Sequence, residues 1–470
     1  MQKEFSCREL CDAYIAHIER VDPQVHAFLY FDPEYVRQQA AAADKKIAHD
    51  APIGMMTGQP IAIKDLLVTA DMPTTAASKI LEGYRSAYDA TAVARLRSAG
   101  AILTGKTNCD EFGMGSSGEN SAYGPTKNPW DTTKVPGGSS SGSAAAVAAG
   151  LSIGALGTDT GSSVRQPAGF CGIVGIKPTY GRVSRNGLIA FASSLDTIGV
   201  LGRTVCDTAI LLNAIAGVDP RDATSIDKEE ITIERVEAFS VQGMRLGIPK
   251  EYFVEGIDPH VEKSVRNAIA ALESQGATVV DVSLPHTKDG MAVYYLIQPS
   301  EASANIARYD GIRYGKRVAA SSLIDIYGKS RDAGLGDEVK RRIMLGTFAL
   351  SAGYYDEYYR KAQKVRTVIR EDFDRVFRDV DVLITPTSPT LPFPLGERTS
   401  DPIAMYLADA FTVAANIAGI PGLSVPSGFH EGLPIGVQLM GPMWSEELLF
   451  GVGKLLERTL SLPLRLPNLA

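Results

Sequence analysis

The chain has 470 residues, 45% hydrophobic and 21% charged, the balance of a soluble globular protein with a large core. Its net charge of −7 carries no basic footprint for autonomous nucleic-acid binding, so any RNA would be held mainly by a partner. The five scattered cysteines (Cys7, Cys11, Cys109, Cys171 and Cys206) form neither a disulfide framework nor a zinc spacing, and the absence of a signal-like or membrane-length apolar run points to a cytosolic protein.

Ser6 and Glu9 make a capping box ahead of an apolar stripe through Leu10, Tyr14 and Ile18, and Asp22-Pro23 is expected to stop that helix. An alanine-rich helix follows over Pro33–Ala48, then an apolar strand over Pro60–Ile63 that ends at Lys64 and Asp65. Asp89–Ala99 reads as a helix capped by Gly100, and Ala101–Thr104 as a buried strand. The alternation repeats with a helix at Ser143–Ala149, a strand at Leu151–Leu156 and a helix at Cys206–Ala216 stopped by Gly217. Met244–Ile248, Pro259–Gln275 and Ala277–Val282 read as one βαβ unit. Gly353–Arg378 is mostly helical and Val380–Thr385 a strand ended by Pro386. Asp401–Ala418 is helical, and Gly422–Pro426 and Ile435–Met440 are short strands. Strands alternating with helices predict an α/β fold with a mixed central sheet and helices on both faces. Residues 1–60 are expected to form a helical segment packing on one large domain, 61–470, with a charged excursion near 219–242.

The richest stretch for chemistry runs from Pro136 to Pro167, where two Ser/Gly turns flank an Ala-rich helix and an apolar run. Such turns can set a hydroxyl beside several backbone N–H groups, the combination acyl transfer needs: one group attacks a carbonyl and the others hold the oxyanion. A flexible linker would not enclose an apolar segment. The six histidines (His17, His26, His49, His260, His286 and His430) lie outside this region, and no G-x-S-x-G elbow is present. A lysine base is therefore a serious candidate. Lys64 has Ile61 and Ile63 before it and Leu66, Leu67 and Val68 after it; burial would lower its pKa and let it take a proton. Locally, a head group escaping to solvent at the strand end fits equally well, and Lys106 and Lys177 are rivals beside other apolar strands.

Lys64, the GGSSSGS segment Gly137–Ser143 and GTDTGSSVRQPAGFCG over Gly157–Gly172 together resemble the amidase-signature family. The resemblance implies a Ser–cis-Ser–Lys triad on a single large amidase-signature domain. Lys64 would be the general base, Ser139 the bridging serine after a cis peptide, and Ser163 the nucleophile. Backbone N–H groups of Thr160, Gly161, Ser162 and Ser163 would form the oxyanion hole. Ser139 follows Lys64 by 75 residues and precedes Ser163 by 24, the second spacing being the family's. Ser141 and Ser162 stand where most members have glycine.

Segments Asp110–Asp131, Lys177–Gly199, Ser300–Gly315 and Glu338–Arg366 further resemble the branch of A subunits of aspartyl/glutamyl-tRNA amidotransferases. That branch implies free glutamine as the ammonia donor. Arg342 would take its α-carboxylate and Asp409 its α-ammonium, with Tyr294 a further contact. The chain itself would need no cofactor, since no GxxxxGK[ST] loop is present. A B subunit would hold the misacylated tRNA and use ATP with magnesium, and a C subunit would clamp A to B in a heterotrimer. A stand-alone amidase of a small amide, and an inactive assembly scaffold, are the alternatives.

Overall fold

The predicted alternation closes into one sheet whose strands come from both ends of the chain. A computed structural model of the protein describes residues 5–49 and 51–469. In chain order the strands are β1 (Phe28–Phe31), β2 (Pro60–Lys64), β3 (Ile102–Thr107), β4 (Gly154–Asp159), β5 (Val174–Lys177), β6 (Thr197–Gly202), β7 (Arg245–Pro249), β8 (Thr278–Val282), β9 (Val382–Pro386), β10 (Gly422–His430) and β11 (Leu433–Met440). Among the described residues they form an eleven-stranded sheet ordered β1-β3-β2-β4-β6-β5-β10-β11-β9-β7-β8. The sheet is mixed: β2 runs parallel to β3 and β4, β7 parallel to β8 and β9, and β10–β11 is an antiparallel hairpin. Helices flank it, as in an α/β domain. The central strands β2 to β6 are buried along their whole length, which is why they read as apolar or small-residue runs rather than alternating ones.

The βαβ unit is present, with the helix Pro259–Ser274 between parallel strands β7 and β8. Several boundaries differ from expectation. Pro23 does not end the first helix, which runs Cys7–Val25 with its capping box intact and stops where His26 turns left-handed at φ 57°. The proline forfeits one ladder bond, that to the Glu19 carbonyl, and the helix continues for only two residues beyond it. The strand expected at Leu151–Leu156 is displaced to β4, Gly154–Asp159, because Thr158 and Asp159 find polar partners inside the molecule. The segment expected as one helix over Asp401–Ala418 is broken into Pro402–Tyr406, a tight turn Leu407–Asp409 and Val413–Ala418. That break buries Asp409.

Candidate active site

β2 and β4 are adjacent parallel strands, and the site lies at their carboxyl ends, where open α/β sheets commonly hold ligands. Lys64, the last residue of β2, is fully buried. Its Nζ donates to Ser139 Oγ at 2.9 Å, Ser140 Oγ at 2.9 Å and Thr158 Oγ1 at 2.8 Å. Among the described residues no carboxylate lies within ion-pair distance of it. Burial pushes its pKa down to about 8, against a partial upward pull from Asp110, Asp159 and Asp196.

The two rival lysines are equally buried and differently employed. Lys106 is ion-paired with Asp65 at 3.1 Å and donates to Thr74 Oγ1 at 2.7 Å. Lys177 donates to the Pro178 carbonyl at 2.9 Å, and burial beside Arg165 pushes it down to about 7. Neither touches a serine of the two turns.

Ser139 follows a cis Gly138–Ser139 peptide bond. Gly138 is required there, since a Cβ would lie 2.2 Å from Asp110 Oδ2. The turn is held by Gln166, whose Oε1 accepts from Gly138 N–H at 3.0 Å, and by the Ser163 carbonyl, which accepts from Ser140 N–H at 3.1 Å. The two Ser/Gly segments are therefore fastened to each other. Ser163 is buried at its backbone turn, and its hydroxyl has no hydrogen-bond partner among the described residues. The N–H groups of Gly161, Ser162 and Ser163 likewise have no acceptor there. Gly161 leaves room for Tyr294, whose Cζ would stand 2.8 Å from a Cβ at that position.

Under this loop lies a buried ion pair. Arg165 Nε donates to Asp159 Oδ2 at 3.0 Å and Nη2 to Oδ1 at 2.9 Å, while Asn416 Nδ2 donates to the same Oδ1 at 2.9 Å. Burial would raise the Asp159 carboxyl, but the Arg165 charge and these bonds hold it below its usual range. Thr160 Oγ1 donates to Asp196 at 2.7 Å, anchoring the loop on its other side.

The two residues that the resemblance assigns to a zwitterion are both inside. Arg342 is 1% exposed. Its Nε donates to Glu338 at 2.7 Å and Nη1 to Gln298 Oε1 at 3.0 Å, while Nη2 is buried without a partner. The rings of Tyr406, Tyr295 and Phe191 surround the guanidinium at 5.1 to 5.9 Å. Arg341 instead points to an exposed pairing with Glu338. Asp409 accepts from Ser162 Oγ at 2.5 Å and Ser116 Oγ at 2.6 Å. Burial pushes its pKa up to about 6, opposed by those two hydroxyls and by the Arg342 charge. Ser162 is not in the left-handed region and needs no glycine; its hydroxyl ties the Thr160–Ser163 loop to Asp409. Ser141, the other glycine replacement, opens the helix Ser141–Ala148 and donates to Thr126 at 3.2 Å.

Ser140, Thr158, Ser116 and Gln298 join the site without having been singled out from the sequence. Ser140 and Thr158 lie inside the two Ser/Gly motifs, and their alternation with Ser139 and Asp159 was the available signal. Ser116 lies within the Asp110–Asp131 segment and Gln298 one helical turn after Tyr294, but neither position marks a site residue by itself, and long-range packing brings both in. Among the described residues no group of three or more His, Cys, Asp or Glu is arranged to hold a metal ion, and no helix is long and apolar enough to cross a membrane.

Buried lysine, paired serine turns and a donor-rich loop are the parts of an amide-cleaving enzyme. The chain belongs to the Amidase family, matching it over residues 9–450. It is 56% identical over 470 residues to the A subunit of the glutamyl-tRNA(Gln) amidotransferase of Roseiflexus sp. (strain RS-1), covering 100% of this chain and 96% of that one. The crystal structure of the A subunit of glutamyl-tRNA(Gln) amidotransferase from Thermotoga maritima is similar at a TM-score of 0.82 and 42% identity, covering 99% and 95%. The peptide amidase of Stenotrophomonas maltophilia shares the architecture at a TM-score of 0.83 and 31% identity, covering 99% and 96%.

Proposed function

We propose that this chain is the glutaminase component of a tRNA-dependent amidotransferase of the cytoplasm. It hydrolyses free glutamine and supplies ammonia for converting Glu-tRNA(Gln), Asp-tRNA(Asn) or both to their amidated forms. The observation that carries the reading is the buried hydrogen bond from Lys64 to Ser139, fastened beside the free hydroxyl of Ser163. The relatives named as A subunits of glutamyl-tRNA(Gln) amidotransferases support the tRNA-dependent branch.

Neutral Lys64 takes the Ser139 proton while Ser139 takes that of Ser163, and Ser163 Oγ bonds to the amide carbon of glutamine. The carbonyl oxygen, now an oxyanion, accepts from the N–H groups of the Thr160–Ser163 loop. The proton returns through Ser139 to the leaving nitrogen, the C–N bond breaks and ammonia departs. Water then attacks the acyl-serine by the same relay and releases glutamate. Arg342 Nη2 faces the α-carboxylate, Asp409 the α-ammonium, and Tyr294 packs against the oxyanion loop. Partner B and C subunits complete the heterotrimer, and B holds the misacylated tRNA together with ATP and magnesium.

A glutamine-derived diazoketone should label Ser163 covalently in the wild-type chain, and mass spectrometry locates the adduct. Ser163→Ala should lose labelling and glutaminase activity while keeping its melting temperature. Ser162→Ala should retain the label at Ser163 with a raised KM. An adduct on Ser162 with Ser163 spared would overturn the assignment.

A further inference from the structure

Three polar atoms around the Arg342 guanidinium are buried without a partner: Arg342 Nη2, Gln298 Nε2 and the Tyr295 hydroxyl. Gln298 is 0% exposed. Tyr294, Tyr295 and Gln298 lie on the helix Gly290–Ile306, three and four residues apart, so they share one face of it. The orientation of the Gln298 amide is set by its neighbour. Arg342 Nη1 is a donor only, so the Gln298 atom 3.0 Å from it is the oxygen, and the NH₂ end is the one left open. Unpartnered buried donors are costly, and three clustered on one guanidinium mark a place for an acceptor group. A carboxylate offers two oxygens and about four lone-pair sites, enough to satisfy all three.

We propose that Gln298 is a specificity-determining residue for the α-carboxylate of the substrate, its Nε2 donating to that group alongside Arg342 Nη2. The inference rests on the reading that free glutamine is the substrate. It assigns Gln298 two roles. Its Oε1 anchors the guanidinium, and its NH₂ reads the anion that the guanidinium attracts. An amide without an α-carboxylate leaves the three donors unsatisfied and is discriminated against on that account.

The test compares glutamine with γ-aminobutanamide, which lacks only the α-carboxylate, in the assembled complex. Gln298→Glu keeps the shape and the acceptor for Arg342 but replaces the open donor by a negative charge. It should raise the KM for glutamine a hundred-fold or more, with a loss at least ten-fold smaller on γ-aminobutanamide. Gln298→Met, which introduces no charge and remains informative if the glutamate variant does not fold, should raise the glutamine KM about ten-fold with kcat little altered. A Gln298→Glu enzyme with a glutamine KM within three-fold of wild type would reduce Gln298 to an anchor for Arg342 and overturn the inference. Equal losses on both amides would overturn it as well. A wild-type enzyme that does not prefer glutamine over γ-aminobutanamide would overturn the glutamine reading itself, and this inference with it.

Discussion

Lys64 sits at the balance point of two demands on one residue. Its ammonium is stripped of water, yet three hydroxyls receive its protons, so the charged form is tolerated without being fixed by a carboxylate. Burial lowers the pKa to about 8, and the neutral amine is the form that accepts a proton. The sign follows: kcat/KM for glutamine should fall as pH drops through about 8, because protonation removes the base. A second loss should appear below about pH 6, where Asp409 gains a proton and releases the substrate ammonium, visible as a rise in KM. Lys64→Arg keeps the charge and cannot shed it, so turnover should fall by roughly 10²- to 10⁴-fold across the whole pH range. A Lys64→Arg enzyme with a wild-type pH profile would remove lysine from the role of base. The apolar flanks of Lys64 were legible in the sequence, but Lys106 and Lys177 also stand beside apolar strands and are just as buried. What separates the three is which partners arrive from elsewhere: two serines and a threonine at Lys64, Asp65 at Lys106, a backbone carbonyl at Lys177. Spacing to the serine motifs, carried by the resemblance, pointed to Lys64 where local pattern could not.

At the scale of elements, Arg165 is the joint that makes the loop a loop. It opens the helix Arg165–Cys171 and reaches Asp159 at the end of β4, the Thr412 carbonyl, Asn416 and Gln438 on β11. One guanidinium thus joins three stretches far apart in sequence, 159–165, 412–416 and Gln438, and holds the Thr160–Ser163 loop from beneath through the Gly161 carbonyl at 3.0 Å. Arg165→Met should leave Asp159 buried and unpaired, at a cost of about 3–5 kcal/mol. Urea denaturation of the two proteins measures it, and a change under about 1 kcal/mol would show that the pair is not holding the fold. Elements with helical or buried-strand periodicity were readable in advance, the βαβ unit around Pro259–Ser274 above all. β6, Thr197–Gly202, was not, because a short run with two glycines looks like a turn until β4 and β5 pair with it on both sides. The break at Leu407–Asp409 was also hidden. Local helix propensity runs through it, and the buried carboxylate that forces it answers to Ser116 and Ser162, nearly 300 and 250 residues away in the chain.

Across the whole molecule, the proposed substrate clamp is assembled from distant parts. Arg342 comes from the helix Asp337–Ala349 and Asp409 from the break after Pro402–Tyr406, while the serine loops come from the first half of the sheet. The net charge of −7 gives the chain no basic footprint for tRNA, which fits its proposed role as the source of ammonia. The two halves of that reaction can then be uncoupled. Arg342→Ala leaves the α-carboxylate of glutamine without its charge-assisted hydrogen bond in a closed site, which should cost about 1.5–3 kcal/mol, or roughly ten- to a hundred-fold in kcat/KM. The loss should be confined to glutamine. Given ammonium salts, the Arg342→Ala complex should still amidate the tRNA-bound amino acid at the wild-type rate, because the partner's site is untouched and receives ammonia from solution. Both rates are measured on one preparation, so misassembly cannot imitate the result: a complex that fails to form loses both activities together. Equal loss with glutamine and with ammonium would make Arg342 a structural residue of the complex and remove it from the clamp.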